Sequence, residues 1–150
     1  MIEETHALVV YRQHEAREAL EEAEILRARN KNRGAMNRVY YAMFYAVLSL
    51  LASRGLSAAK HSGAISLFHR EFVKPGTIPV EIAKFLDIAF DLRNKCDYRD
   101  FVLPDPERVD ELLEAARRFI DEIDSVLSTL ERHCGETGSG VQRLHVEHAG

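Results

Sequence analysis

Residues 36–53 read MNRVYYAMFYAVLSLLAS, and Arg38 is the only formally charged residue among them. Apolar side chains fall on nearly every side of a helix built from this stretch, whereas a helix at the surface keeps its apolar side chains in one stripe. An almost uniformly apolar helix has to be covered by neighbours. The stretch therefore predicts a central helix surrounded by other helices, with Gly55 as its C-terminal cap.

Amphipathic segments precede and follow this central helix. Apolar residues recur there every three or four positions, which is the spacing of one helical face, across residues 5–29, 59–73, 79–98 and 105–130. Pro79 and the pair Asp105-Pro106 mark helix starts, because proline fits the first helical turn and aspartate can cap it. No run alternates apolar and polar residues for long enough to predict a strand. The sequence therefore predicts an all-α protein, an up-and-down bundle of four to five helices.

The length of 150 residues, 46% of them apolar, fits one domain with one core. We expect residues 1–133 to form the bundle and the Gly-, Ser- and Thr-containing residues 134–150 to form a flexible C-terminal tail. No apolar run approaches the roughly 18 residues that span a bilayer. The chain also begins with Glu3 and Glu4 where a signal peptide would be basic. These features predict a cytoplasmic protein without membrane association.

The cysteines and histidines give no metal-binding pattern. Cys96 and Cys134 form no Cys-x-x-Cys motif, which predicts free thiols. His133 and Cys134 are separated from His145 and His148 by ten residues that include three glycines, a poor framework for zinc. Glycine-rich phosphate loops and serine-hydrolase motifs are absent as well. We expect neither a metal ion nor a cofactor.

The formal net charge of −4 is unevenly distributed. Residues 33–74 contain six basic and one acidic side chain, whereas residues 104–132 contain four basic and nine acidic ones. A basic segment in an acidic protein permits a local phosphate-binding face. The charge does not by itself predict such a face.

Two segments carry a recognisable signature. One is NRVYYAMFYA at residues 37–46, with Lys60-His61-Ser62-Gly63 downstream, and the other is LRNKCDY at residues 92–98. Together with the order and length of the helices, they resemble the HEPN family. The resemblance implies a helical bundle that forms a homodimer, with a cleft near the Arg-containing helix end of each subunit. Many HEPN proteins are metal-independent endoribonucleases, often the toxin partners of a small nucleotidyltransferase-like antitoxin.

The sequence departs from the catalytic motif of that family, Arg-x(4 to 6)-His. After Arg93, the positions of the motif histidine hold Tyr98, Arg99 and Asp100. RNA cleavage through the 2′-hydroxyl needs a group that transfers protons near neutral pH, and tyrosine ordinarily titrates near pH 10. His61 is the only histidine in the matching segments. We therefore leave enzymatic activity open, with Arg93 and His61 as the candidate catalytic residues.

Two interpretations of each candidate stay open. Arg93 can neutralise a phosphate, or it can pair with Asp97 one helical turn away. His61 can bind an anion at a helix start, or it can serve as a cap or packing residue. Tyr41 and its aromatic neighbours can stack on bases, or they can form core or dimer interface. Tyr98 lies where its helix should end, in a position suited to exposure.

Three functional hypotheses follow. The first, which we favour, is a dimeric module that binds a nucleotide or RNA phosphate through Arg93, Asp97, Tyr98, His61 and Tyr41 and acts with a nucleotidyltransferase-like partner. The second is an endoribonuclease toxin that transfers protons through a residue other than the motif histidine. The third is a structural adaptor that binds only protein.

Overall fold

The computed structural model describes the backbone of residues 3–100 and 102–149 and the side chains of residues 3–100 and 102–132. Its five α-helices are α1 (Glu3–Ala28), α2 (Asn32–Ser53), α3 (His61–Phe68), α4 (Val80–Tyr98) and α5 (Pro106–Ala149). A π-helical turn, His69–Val73, continues α3. No strand occurs in the described ranges, so the predicted all-α bundle is confirmed.

Helix α2 is the centre of the bundle. It contacts each of the other four helices. Its fully buried large side chains include Met36, Tyr40, Met43, Leu50 and Leu51. Burial of a leucine-sized side chain contributes about 1.5 to 3 kcal/mol, so this helix organises the core, as its composition predicts.

The predicted helix signals are found where the sequence places them. Gly55 has a left-handed φ of 68°, and the N–H of Leu56 donates to the carbonyl of Leu51 at 2.8 Å, which is the pattern of a Schellman cap. At the start of α5, the Asp105 carboxylate accepts the N–H of Glu107 at 3.0 Å. Asp105 therefore caps the helix that Pro106 begins.

The third and fifth helical segments each show a detail that the sequence did not specify. The last turn of the third segment is π-helical, with the N–H of Lys74 donating to the carbonyl of His69 at 2.8 Å. Helix α5 runs to Ala149, across the expected boundary between residues 133 and 134. The side chains beyond Arg132 lie outside the described set, and the flexibility of the tail stays a prediction.

Arginine–carboxylate pairs join α1 to α5 along an exposed line that we name the α1/α5 seam. Arg17 donates to Asp121 at 2.8 Å and to Asp124 at 2.7 Å. Arg27 lies 2.8 Å from Asp110, and Arg117 lies 3.4 Å from Glu24. These pairs hold the first helix against the last at the surface of the bundle.

Within residues 3–100 and 102–149, none of the helices combines the length and apolarity needed to cross a membrane.

Candidate functional site

Arg93 of α4 faces Tyr40 and Tyr41 of α2. Its side chain is 15% exposed, and Nε lies 3.0 Å from Oδ2 of Asp97, one helical turn further on. The two outer nitrogens make long contacts, Nη1 to the Asn94 amide oxygen at 3.3 Å and Nη2 to the Tyr41 hydroxyl at 3.5 Å. The predicted Arg93–Asp97 ion pair is therefore present. The outer edge of the guanidinium is held only weakly.

Aromatic rings enclose this arginine. The guanidinium carbon of Arg93 lies 5.3 Å from the ring centre of Tyr40 and 5.4 Å from that of Tyr41. The guanidinium carbon of Arg38 lies 4.8 Å from the same Tyr41 ring. All three distances allow cation–π attraction. Tyr41 thus brings two guanidinium groups into one neighbourhood.

His61 begins α3 and packs against the same aromatic residues. Its ring stacks on Phe44 with 4.1 Å between ring centres and meets Tyr41 edge-on at 5.6 Å. Its Nδ1 lies 3.0 Å from the Tyr40 hydroxyl. Burial lowers the pKa of His61 below its ordinary value, and the positive charge of Arg93 lowers it further. The imidazole is therefore neutral near pH 7.

We name Arg38, Tyr40, Tyr41, His61, Arg93 and Asp97 the Arg93 cluster. Of the residues that the sequence singled out, the structure brings Arg93, Asp97, Tyr41 and His61 together. Tyr40 is buried within the cluster, and its pKa is raised, chiefly by burial. The hydroxyl of Tyr40 therefore keeps its proton.

Sequence reasoning did not assign a site role to Asn37, and it considered Arg38 only as one of several basic residues that could hold a nucleic-acid backbone. The Asn37 amide nitrogen donates to Oδ2 of Asp97 at 3.4 Å, and Arg38 donates to the Asn37 amide oxygen at 3.2 Å. Asn37 and Tyr41 lie one turn apart on α2, and Arg93 and Asp97 lie one turn apart on α4. The spacing places each pair on one helix face, but nothing in the sequence showed that these two faces meet.

Tyr98 is separated from the cluster. It is 76% exposed and lies in a shallow depression with Asp91, Asn94, Lys95 and Arg99. It follows Asp97 directly, which turns it about 100° around the helix axis. Among the described residues, no hydrogen bond, ion pair or ring contact joins Tyr98 to the cluster.

No group of three or more metal-ligating side chains occurs among the residues whose side chains are described. The set formed by His133, Cys134, His145 and His148 lies outside that range.

The chain is a bundle of five α-helices in which α2 and α4 meet at the Arg93 cluster. A family model described as the HEPN domain matches residues 10–126, and the chain therefore belongs to the HEPN family.

Three relatives place the chain within that family. A UPF0332 protein of Thermotoga maritima is 38% identical over 129 residues, which is 86% of this chain and 98% of that protein. Two proteins of Methanocaldococcus jannaschii are named as candidate toxins. One is 32% identical over 77% of this chain and 85% of its own length. The other is 31% identical over 62% of this chain and 63% of its own length.

Proposed function

We propose that this HEPN protein binds a phosphate group of RNA or of a nucleotide at Arg93, and that it acts as a homodimer with a nucleotidyltransferase-like partner. The observation that carries the proposal is the arrangement of Arg93 and Arg38 around the Tyr41 ring. Two ordered guanidinium groups in a partly buried aromatic setting suit a phosphate, because the guanidinium fork matches the geometry of its oxygens.

The hydrogen bonds of Arg93 support a ligand role over a purely structural one. A charge-assisted bond to a phosphate oxygen is typically about 2.7 to 2.9 Å long, whereas Nη1 and Nη2 make contacts of 3.3 and 3.5 Å. A phosphate can replace these contacts at little cost. Asp97 would keep its ion pair with Arg93, in which Oδ2 lies 3.0 Å from Nε. Nε itself is buried and has no hydrogen-bond partner among the described residues.

The relatives named as candidate toxins support a toxin role, and the action on RNA or nucleotides rests on family membership. The nucleotidyltransferase-like partner and the homodimer rest on family membership. Sedimentation tests the dimer directly, since a single species of 17.1 kDa at micromolar concentration would refute it.

A second candidate function is metal-independent RNA cleavage, and the position of His61 favours it. His61 is neutral near pH 7, lies in the cluster, and comes from a helix other than that of Arg93. A neutral imidazole beside a phosphate-binding arginine can transfer a proton to or from the 2′-hydroxyl. This function needs an unprotonated ring nitrogen that faces the substrate.

The test is a titration of the purified protein with a short labelled single-stranded RNA and with AMP, followed by a gel for cleavage. We expect Arg93→Ala to weaken binding and to reduce its salt dependence, because a phosphate contact is lost. Arg99→Ala is the matched control, since Arg99 is an exposed arginine at the end of the same helix. Equal affinities of the wild type and both variants would reject the proposal. RNA cut only when Arg93 is present would favour the second candidate.

A further inference from the structure

The hydrogen bond between Tyr40 and His61 has two possible directions, and they give His61 opposite chemistry. If the Tyr40 hydroxyl donates to Nδ1, the single proton of the neutral ring lies on Nε2, which becomes a donor. If Nδ1–H donates to the hydroxyl, Nε2 is unprotonated and can act as a base. The direction therefore decides what His61 can do for a ligand.

The surroundings of Tyr40 favour the first direction. The Tyr40 side chain is fully buried, and its hydroxyl lies 3.0 Å from Nδ1 of His61. No other hydrogen bond of this hydroxyl occurs among the described side chains. Arg93 lies over the Tyr40 ring, but a guanidinium group offers only donors. In the second direction, the hydroxyl hydrogen would be buried without an acceptor, which is unfavourable.

The opposite edge of the His61 ring is the one available to a ligand. His61 lines a cleft of about 190 Å³ between α1, α2 and the loop before α3, and Tyr40 does not line it. Phe44 covers one face of the ring at 4.1 Å. With Nδ1 engaged by Tyr40, Nε2 is the polar atom that His61 can offer there.

The charges around this cleft favour an anion. Arg12 and Lys60 line it, and no carboxylate does. Arg12 is paired with Glu15 at 2.7 Å, whereas Lys60 has no ion pair among the described residues. The charge of Arg93 also acts on His61. A group that accepts a hydrogen bond from Nε2–H in this setting is most favourable when it is negatively charged.

We propose that Tyr40 is a positioning residue that holds His61 as the Nε2–H tautomer, so that His61 donates a hydrogen bond to a phosphate oxygen in this cleft. Arg93 does not line the cleft, so this phosphate belongs to a neighbouring nucleotide of the RNA bound at Arg93. The inference rests on the proposed phosphate binding and assigns His61 a role as neutral donor. It also argues against the endoribonuclease alternative, because His61 in this tautomer has no free nitrogen with which to act as a base toward the 2′-hydroxyl.

The tautomer can be measured in the free protein by long-range ¹H–¹⁵N NMR at pH 7.5, with the His61 signals assigned from their loss in His61→Gln. We expect Nε2 to be protonated in the wild type. Tyr40→Phe keeps the ring but removes the hydroxyl, and we expect it to give a mixture of tautomers. His69 is the internal control, because its Nε2 lies 3.2 Å from Asp87 and does not depend on Tyr40. A protonated Nδ1 in the wild type, or an unchanged tautomer in Tyr40→Phe, overturns the inference.

The donor role is tested by RNA affinity in two variants. A glutamine amide places an N–H group near the position of Nε2, whereas an asparagine amide places it near Nδ1. We expect His61→Gln to bind single-stranded RNA within about threefold of the wild type and His61→Asn to bind about tenfold more weakly. Thermal unfolding confirms that both variants are folded. Equal losses in the two variants overturn the donor role.

Loss of phosphate binding and loss of the fixed tautomer can be told apart. If the wild type binds neither RNA nor AMP, the proposed function falls and the donor role falls with it. The NMR result on the free protein still decides whether Tyr40 fixes the tautomer.

Discussion

The Arg93 cluster and the α1/α5 seam contain the same kind of ion pair in two different environments. In the seam, Arg17 is 45% exposed and makes hydrogen bonds of 2.7 and 2.8 Å to two carboxylates. In the cluster, Arg93 is 15% exposed, lies against two aromatic rings, and has one carboxylate partner. Two short bonds engage one nitrogen of the seam arginine, Nη2, whereas the outer nitrogens of Arg93 make only long contacts.

This difference separates an arginine that joins helices from one suited to bind a ligand. An exposed pair contributes about 0 to 1 kcal/mol, because water competes for both partners. A pair shielded by aromatic rings is costlier to break, and its charge acts over a longer range in the less polar surroundings. Equivalent substitutions in the two regions should therefore have effects of different size.

The largest expected effect is on RNA affinity. Arg93→Ala should weaken the binding of a short single-stranded RNA by about tenfold to a hundredfold, the loss expected for a hydrogen bond to a charged group. Arg17→Ala removes an arginine of equal charge from the seam and should leave the affinity nearly unchanged. Fluorescence anisotropy at one fixed salt concentration measures both. Similar losses in the two variants would mean that only net charge matters.

The next effect is on stability. Asp97→Ala should lower the free energy of unfolding by about 1 to 2 kcal/mol, because it leaves the partly buried Arg93 without its carboxylate. Asp121→Ala should cost less than about 0.5 kcal/mol, because Arg17 keeps Asp124 and both are near water. Urea denaturation followed by circular dichroism measures the difference. Equal costs would remove the distinction between the two regions.

A smaller effect is on the pH dependence of stability. The folded-state pKa of His61 lies below its ordinary value, chiefly through burial. As the pH falls below about 6.5, the unfolded chain takes up this proton first, so the folded state loses stability down to the folded pKa. The melting temperature should therefore fall more steeply from pH 7.5 to pH 5 in the wild type than in His61→Gln. Parallel curves would show that His61 titrates as it does in the unfolded chain.

The smallest effect concerns salt. Raising the salt concentration from 0.05 to 0.5 M, a change of about threefold in screening length, should reduce the already small contribution of Arg17 to stability. The cost of Asp97→Ala should change less, because its pair is shielded from water. The unfolding free energies of the wild type, Arg17→Ala and Asp97→Ala at the two salt concentrations measure both effects. A strong salt dependence at Asp97 would show that its pair is effectively exposed.

Most of the fold could be predicted from the sequence because it depends on local signals. The apolar residues of α2, the left-handed Gly55 and the cap at Asp105 act within one or two helical turns. The π-helical turn at His69–Val73 could not be predicted, because no proline or glycine within the turn marks the one-residue shift of its hydrogen bonds. Pro75 and Gly76 mark only the end of the segment.

The candidate site was only partly predictable. The Arg93–Asp97 pair follows from spacing on one helix, but the contact of Arg93 with Tyr41 depends on how α4 packs against α2. The hydrogen bond from Tyr40 to His61 joins two helices and has no signature in the sequence. Tyr98 was singled out because it occupies the position of the motif histidine. As the residue after Asp97, it projects from a different side of the helix and lies outside the cluster.

The most direct test of phosphate binding at Arg93 is an NMR titration that observes the Nε–H signals of the arginines as AMP or a short RNA is added. We predict that the signal of Arg93 shifts in a saturable way, with a smaller shift at Arg38, while that of Arg17 stays in place. An unmoved Arg93 signal in a protein that nevertheless binds RNA would contradict the account and place the binding site elsewhere.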